Sequence, residues 1–257
     1  MSGRRIVYGI GPVQEVIRAV AHEIDCIFVS EKRLAKGGKD GVSSIVGEAK
    51  NRNLSWTAVA TAELDRLAKG ANHQGVVVIA GSYAYKELHD IVDAAKKPGL
   101  LVALDGVTDP HNLGAVVRSA LLLGADGVII PKDRSAQVSA LVTKTSAGAS
   151  EHLPIAQVTN LVRALEELRE DGFWSAAVAS GPKAIPLQKV SSELPLVLVL
   201  GSEGKGLRTL VAKTCDFHLE IPMAASAVGS FNVSVAAAIA LYEVTRQRAE
   251  ASAGADS

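Results

Sequence analysis

Leu104-Asp-Gly-Val-Thr-Asp-Pro-His-Asn-Leu-Gly-Ala-Val-Val-Arg-Ser119 is the stretch on which the fold turns. The apolar run Leu100 to Leu104 leads into it and reads as a buried strand. Asp109-Pro110 then marks a turn, and a helix follows that carries Arg118 among apolar neighbours. Outward from here the same rhythm recurs. It predicts strands at 100–104, 127–131, 153–156, 174–179, 196–200 and 217–221. Helices are predicted at 112–123, 135–146, 159–171, 206–212 and 231–249. Such alternation implies an α/β fold, a mainly parallel sheet flanked by helices. Two more strand ends finish in polar residues. One is Val197-Leu-Val-Leu-Gly-Ser-Glu-Gly-Lys-Gly-Leu207; the other runs from Ile221-Pro-Met223 to Ser230-Phe-Asn-Val-Ser-Val-Ala236. Open α/β sheets bind ligands outside the carboxyl ends of their strands. Three such ends in one half of the chain imply one composite site.

Residues 1–82 read as a separate, smaller α/β unit. A helix is expected from Pro12 to His22, with Val13, Val16, Ile17 and Val20 on one face. Cys26 to Val29, Trp56 to Ala60 and Val76 to Ile79 read as strands, and Val42 to Arg52 as a helix. Lys32 to Lys39 is charged and contains glycine, so it reads as a loop. Thr61 reads as the cap of a helix from Ala62 to Lys69. Residues 83–98 form a linker with one short helix, Glu87 to Ala95. Residues 99–249 make the second domain, and the small, polar tail 250–257 is expected to be disordered.

Composition narrows the classes. Hydrophobic residues make up 48% of the 257, enough for a substantial core, while aromatics are only 4%. A chain rich in Ala, Val, Leu and Gly suits parallel strands covered on both faces. Lys+Arg and Asp+Glu both number 27, and this balance weighs against a nucleic-acid partner. Residues 1–83, however, hold 11 Lys/Arg against 8 Asp/Glu, so the first unit carries a positive excess. Arg4, Arg5, Lys32, Arg33, Lys36 and Lys39 belong to it and are candidate RNA-phosphate contacts. A solvated charged loop explains the Lys32–Lys39 group equally well. Cys26 and Cys215 sit in apolar contexts and read as reduced, buried thiols. No metal-ligand spacing is found, so no metal is expected. Neither a signal peptide nor a membrane span is legible, which points to a cytoplasmic protein with no membrane partner.

Each polar strand end has an ordinary reading beside a functional one. Asn112 suits a helix cap, and Arg118 a surface or ion-paired residue. An Arg amid Ala-Val-Val and Ala-Leu-Leu-Leu, though, either pairs with a carboxylate or faces a polyanion. Gly-Ser-Glu-Gly-Lys-Gly206 suits a tight strand-to-helix turn with Glu203 capping, or a loop whose glycines let backbone approach a ligand. Its order is wrong for a dinucleotide fingerprint or a Walker loop, which removes a nucleotide-dependent dehydrogenase. Ser230 and Asn232 suit capping of the last helix, or a ligand at that helix start.

These three stretches resemble, in order and spacing, the motifs of SpoU-type RNA ribose 2′-O-methyltransferases of the SPOUT superfamily. The resemblance covers the C-terminal half. Val7-Tyr8-Gly9-Ile10 and His73-Gln74-Gly75-Val76 extend it. They resemble the RNA-binding domain, similar to a small ribosomal protein, of the branch that methylates a guanosine of large-subunit (23S) ribosomal RNA. The resemblance implies a trefoil knot, a homodimer in which Arg118 reaches the partner's site, and S-adenosylmethionine as cofactor. It implies Asn112, Arg118, Glu203, Ser230 and Asn232 as catalytic residues. It implies Leu200, Gly201, Ile221, Met223, Ser230 and Phe231 around the cofactor. Two departures stand out: Phe231 replaces the family's Leu, and the Ile221–Asn232 loop is one residue longer. The alternatives are a transfer-RNA ribose methyltransferase and a non-catalytic RNA-binding ribosome-assembly protein. Intact motif residues weigh against the last.

Overall fold

The computed structural model describes residues 3–36, 40–191, 193–224 and 229–255. The chain divides into two compact units, 1–84 with 138–152, and 85–137 with 153–257. The assignment of residues 138–152 departs from the sequence reading, which places them in the second domain.

The larger unit is built on a seven-stranded sheet. In chain order its strands are β5 (Leu100–Asp105), β6 (Gly127–Pro131), β7 (Ile155–Val158), β8 (Trp174–Val178), β9 (Ile185–Pro186), β10 (Leu196–Gly201) and β11 (Phe217–Glu220). Across the sheet the order is β7-β6-β5-β10-β8-β11-β9, and every pairing is parallel. All six residues of β5 are buried, as are the first five of β10. Strands covered on both faces need such uninterrupted apolar runs. Each buried Leu or Val side chain there stabilises the fold by about 1.5–3 kcal/mol. The helices are α5 (Leu88–Ala94), α6 (Pro110–Leu122), α8 (Leu161–Glu170), α9 (Thr209–Thr214) and α10 (Val233–Ala255). Because β10 lies directly beside β5, with Gly201 opposite Asp105, the loops that leave these two strands start side by side.

The smaller unit has a four-stranded sheet. Its strands are β1 (Arg5–Tyr8), β2 (Ile24–Ser30), β3 (Trp56–Val59) and β4 (Val76–Ala80), in the order β1-β4-β2-β3. Around them are α1 (Ile10–Val20), α2 (Glu31–Ala35), α3 (Gly41–Asn51), α4 (Thr61–Leu67) and α7 (Ala140–Thr145). Val13, Val16 and Ile17 of α1 pack with Val42, Ile45 and Val46 of α3 over the apolar face of β2 and β4.

Several expectations are corrected. Lys32 to Ala35 is helical rather than loop, because the Ser30 hydroxyl accepts from the Arg33 amide and caps α2. Thr61 opens α4 and does not cap it; Ala60 holds the cap position. The two-residue β9 and the strand β1 have no counterpart among the predicted strands. The helix predicted at 135–146 shrinks to Ala140–Thr145. The tail expected to be disordered continues α10 to Ala255, while residues 256–257 lie outside the described residues. Arg246 and Arg248 lie inside this helix. Arg246 pairs with Glu243 and Glu250, and Arg248 donates to the Pro98, Gly99 and Leu194 carbonyls.

Neither thiol forms a disulfide. Cys215 is buried, and burial, reinforced by the charge of Asp216, pushes its thiol up to about 12. Cys26 is only half-buried. Alkylation by iodoacetamide at about pH 8 is expected to modify Cys26 in the native protein and spare Cys215, since the thiolate is the nucleophile. Peptide mass spectrometry reads this, and equal labelling of both would contradict the buried placement of Cys215.

Candidate active site

Three polar side chains converge at the carboxyl ends of β5 and β10. Asn112 Nδ2 donates to Glu203 Oε1 at 2.9 Å. Asn232 Nδ2 donates to Asn112 Oδ1 at 3.1 Å and also to Glu203 Oε1. Asn232 Oδ1 in turn accepts from the Ser234 amide at 2.9 Å and hydroxyl at 2.6 Å, which fixes the start of α10. One residue from each of the three motifs thus joins a single cluster. Glu203 Oε2 has no partner among the described residues.

The local chain explains each placement. Asp109, not Asn112, caps α6: its carboxylate accepts from the His111 amide at 2.8 Å. Pro110 follows at the first helical position, where its missing N–H costs nothing. Asn112 is left inside the first turn, 8% exposed, with its amide turned to Glu203. Glu203 likewise caps no helix, since α9 begins only at Thr209. It sits in a narrow turn closed by Ser202 N to Gly206 O at 3.1 Å and Gly206 N to Ser202 O at 2.9 Å. A Cβ on Gly201 would lie 2.1 Å from the Gly206 carbonyl carbon, so only glycine lets the turn fold back on its own strand. The turn's own backbone, before any cofactor, requires Gly201.

A cleft of about 590 Å³ opens at this cluster. Asp105, Asn112, Asp133, Arg134, Glu203 and Arg208 are among its lining residues. A second, smaller cavity is lined by Ile221, Met223, Ser230 and Phe231, together with Val178, Ala179, Ser180 and Ala236. The candidate cofactor residues from the third motif therefore meet in one place; Leu200 and Gly201 do not line it. Val178, Ala179 and Ser180, at the end of β8, escaped the sequence reading because nothing polar but Ser180 marks that strand end. Residues 225–228, in the same loop as Met223, lie outside the described residues.

Asp105 and Arg208 also went unread. Asp105 is buried, and both its oxygens bind Arg208: Oδ1 accepts from Nε and Oδ2 from the backbone amide, each at 2.7 Å. The signal was present in the sequence, since a carboxylate closing an apolar strand demands a partner.

Arg118 stands apart. Its side chain is exposed and has no ion-pair or hydrogen-bond partner among the described residues. Of the residues proposed for RNA, Arg5 is engaged by Glu151 at 2.7 and 2.8 Å and by the Gly81 carbonyl at 3.1 Å, leaving little for a ligand. Arg4 pairs with Asp25 at 2.7 Å on the surface. Lys32, Arg33 and Lys36 line one hollow with the turn from Gly70 to Gly75. Arg33 is partly committed there, donating to the Gln74 carbonyl at 2.6 Å. Lys39 lies outside the described residues. No cluster able to hold a metal occurs among the described residues, and no described helix is long and apolar enough to cross a membrane.

A parallel sheet with a polar cluster and two hollows at its carboxyl edge has the architecture of a ligand-binding α/β protein. The comparisons make that specific. Residues 99–242 match the SpoU rRNA methylase family, and residues 6–86 match the substrate-binding domain of RNA 2′-O ribose methyltransferases. A Staphylococcus haemolyticus protein assigned to the TrmH family of tRNA/rRNA methyltransferases is 40% identical over 246 residues, covering 95% of this chain and 96% of its own. The SpoU methyltransferase AviRb of Streptomyces viridochromogenes, solved with AdoMet, superposes with a TM-score of 0.78 at 24% identity, over 96% of this chain and 92% of that one. The A. aeolicus TrmH/SpoU tRNA modifying enzyme gives 0.55 at 29% identity, over 64% of this chain and 82% of that one. The chain belongs to the SpoU methylase family and is an RNA methyltransferase.

Proposed function

We propose that this protein transfers a methyl group from S-adenosylmethionine to the ribose 2′-hydroxyl of a guanosine in large-subunit ribosomal RNA. The observation that carries the chemistry is the Asn112–Glu203–Asn232 cluster, set at the cleft mouth between the motif strands. The cavity of Ile221, Met223 and Phe231, about 100 Å³ in volume, suits one end of the cofactor: its walls are apolar or small, and Met223 and Phe231 stay 42% and 41% exposed. Such surface suits the adenine ring. When bound, the cofactor supplies an already activated methyl on its sulfonium. The protein's part is then mainly positioning. Asn112 and Asn232 hold one oxygen of Glu203, and the other is free to accept a hydrogen bond or proton from the ribose hydroxyl. Arg118, permanently charged, is a poor base and serves as the cation that binds phosphate and steadies the developing alkoxide.

The same proposal includes a homodimer. Leu122, Val235 and Tyr242 are 73%, 45% and 59% exposed on the packed pair α6 and α10, an apolar surface that a second copy would cover. It includes the trefoil knot, which rests on the match to the SpoU methylase family over residues 99–242.

Residues 1–82 are assigned the choice of RNA. The tRNA-modifying relative overlaps only 64% of this chain, which favours ribosomal RNA. The Staphylococcus relative, matched over nearly its whole length, is named for both RNAs and keeps transfer RNA as the second candidate. Incubation of total RNA with labelled cofactor, followed by mapping of the modified nucleotide, decides between them: a 2′-O-methylguanosine in large-subunit RNA is expected. Label confined to transfer RNA would replace the first candidate with the second. The double variant Lys32→Ala, Lys36→Ala is expected to bind that RNA with a salt dependence shallower by roughly one to two units of slope. An unchanged slope in a filter-binding titration would remove this hollow from the RNA path.

A further inference from the structure

We propose that Arg208 is a phosphate-binding site for the RNA strand in the cleft, and that the buried Asp105 is the residue that positions it. Asp105 closes β5 with its side chain 0% exposed, while the Arg208 side chain is 62% exposed. One carboxylate oxygen takes Arg208 Nε and the other takes the Arg208 backbone amide, each at 2.7 Å. A single buried group therefore fixes both the main chain and the guanidinium of one residue. The orientation of this pair matters. An arginine needed only to neutralise a carboxylate commonly offers it two parallel N–H groups, including terminal ones. Here the contact is made through Nε, and Nη1 and Nη2 have no partner among the described residues. Their fork is exposed in a cleft whose other lining residues include Asn112 and Glu203.

The ligand class follows from the fork and its surroundings. Two planar, co-directed donors match the paired oxygens of a phosphodiester. Beside the Asp105–Arg208 pair the cleft is lined by Asp109, Asp133 and Glu203 and by Arg134 and Lys205, so its charges nearly balance and hold a diffusible anion only weakly. A phosphate covalently carried in by an RNA strand already gripped elsewhere does not depend on that attraction. Arg208 thus holds the backbone next to the nucleotide whose ribose meets Glu203. The proposal rests on the placement of the target ribose in this cleft, but not on which RNA supplies it.

The test measures RNA affinity, cofactor affinity and thermal stability of the full-length protein. The RNA is whichever species the wild-type enzyme labels, so an error over ribosomal or transfer RNA changes the probe and leaves the outcome readable. Arg208→Ala is expected to weaken RNA binding about tenfold to a hundredfold, the loss of a charged hydrogen-bonded contact. The plot of log affinity against log salt should become shallower by about one. Cofactor affinity should stay as in the wild type. Asp105→Asn keeps an acceptor for Nε but loses the charge. It should weaken RNA binding several-fold with the wild-type salt slope, because the guanidinium remains. Arg208→Lys, which keeps the charge without the fork, should fall between wild type and Arg208→Ala. An Arg208→Ala protein with wild-type RNA affinity and slope, whether or not its melting temperature falls, would make this pair a structural clasp and overturn the proposal. Wild-type RNA affinity in Asp105→Asn would overturn the positioning role.

Discussion

Arg118→Ala is expected to fold, melt and bind cofactor as the wild type does, and to lose methyl transfer by about two to three orders of magnitude. The stability half follows from the surface position of the residue. Arg118 is exposed and unpaired among the described residues, so its removal strands no buried carboxylate. Surface substitutions of that kind change stability by roughly 0.5 kcal/mol or less. A structural ion pair, the ordinary alternative for an arginine in this apolar setting, would have given the opposite result. The catalytic half rests on geometry that the sequence alone hides. Arg118 is six residues past Asn112, and at about 100° per residue the two side chains point roughly 120° apart around α6. His111 and Leu122, exposed like Arg118, share its side of the helix. Arg118 therefore faces away from the cluster of its own chain. It is free to enter the site of a partner, as the proposed homodimer requires. Single-turnover rates beside thermal melts test both halves. A variant that melts early while its folded fraction stays active would return Arg118 to a structural role.

The β5–α6 and β10 stretches were legible because burial leaves little choice: five apolar residues in a row ahead of a polar or glycine end make a strand, and the loop chemistry follows. The same logic is silent where a short element depends on partners far away in sequence. Val138 to His152 is ordinary helix and turn by pattern, yet Val142, Ala149 and Ser150 are buried in the smaller unit. Nothing local to those residues records that. Similarly, α2 exists because Ser30 caps it, although the charges that follow read as a loop. At the site, residue identity was legible and residue role was not. Asn112 and Glu203 both looked like caps; Asp109, three residues earlier, fills the first of those posts, and only the tertiary fold brings Asn112 to Glu203. Asp105 was in plain view at the end of its strand. Its partner, 103 residues onward, could be found only in three dimensions.

Glu203→Ala is expected to cost about a hundredfold to a thousandfold in turnover, comparable to the loss of one preorganised polar group at a reacting centre. The substitution removes the acceptor shared by Asn112 Nδ2 and Asn232 Nδ2, along with the second carboxylate oxygen. Because Glu203 is exposed, the fold should survive, and cofactor held by the separate Ile221–Phe231 cavity should still bind. Combined with Arg118→Ala, this variant tests whether the site is shared between subunits. In a twofold dimer where Arg118 acts across the interface, a mixed dimer has one site with both residues intact and one with neither. Random exchange of equal amounts makes half the dimers mixed, so about a quarter of wild-type activity should return from two nearly dead proteins. If Arg118 served its own chain's Glu203, every site would carry one lesion and nothing would return. Unfolding and refolding the mixture, then assaying against each variant treated alone, separates these outcomes. Absence of recovery, with subunit exchange verified by a tag on one variant, would place Arg118 and Glu203 in the same protomer and overturn the shared site.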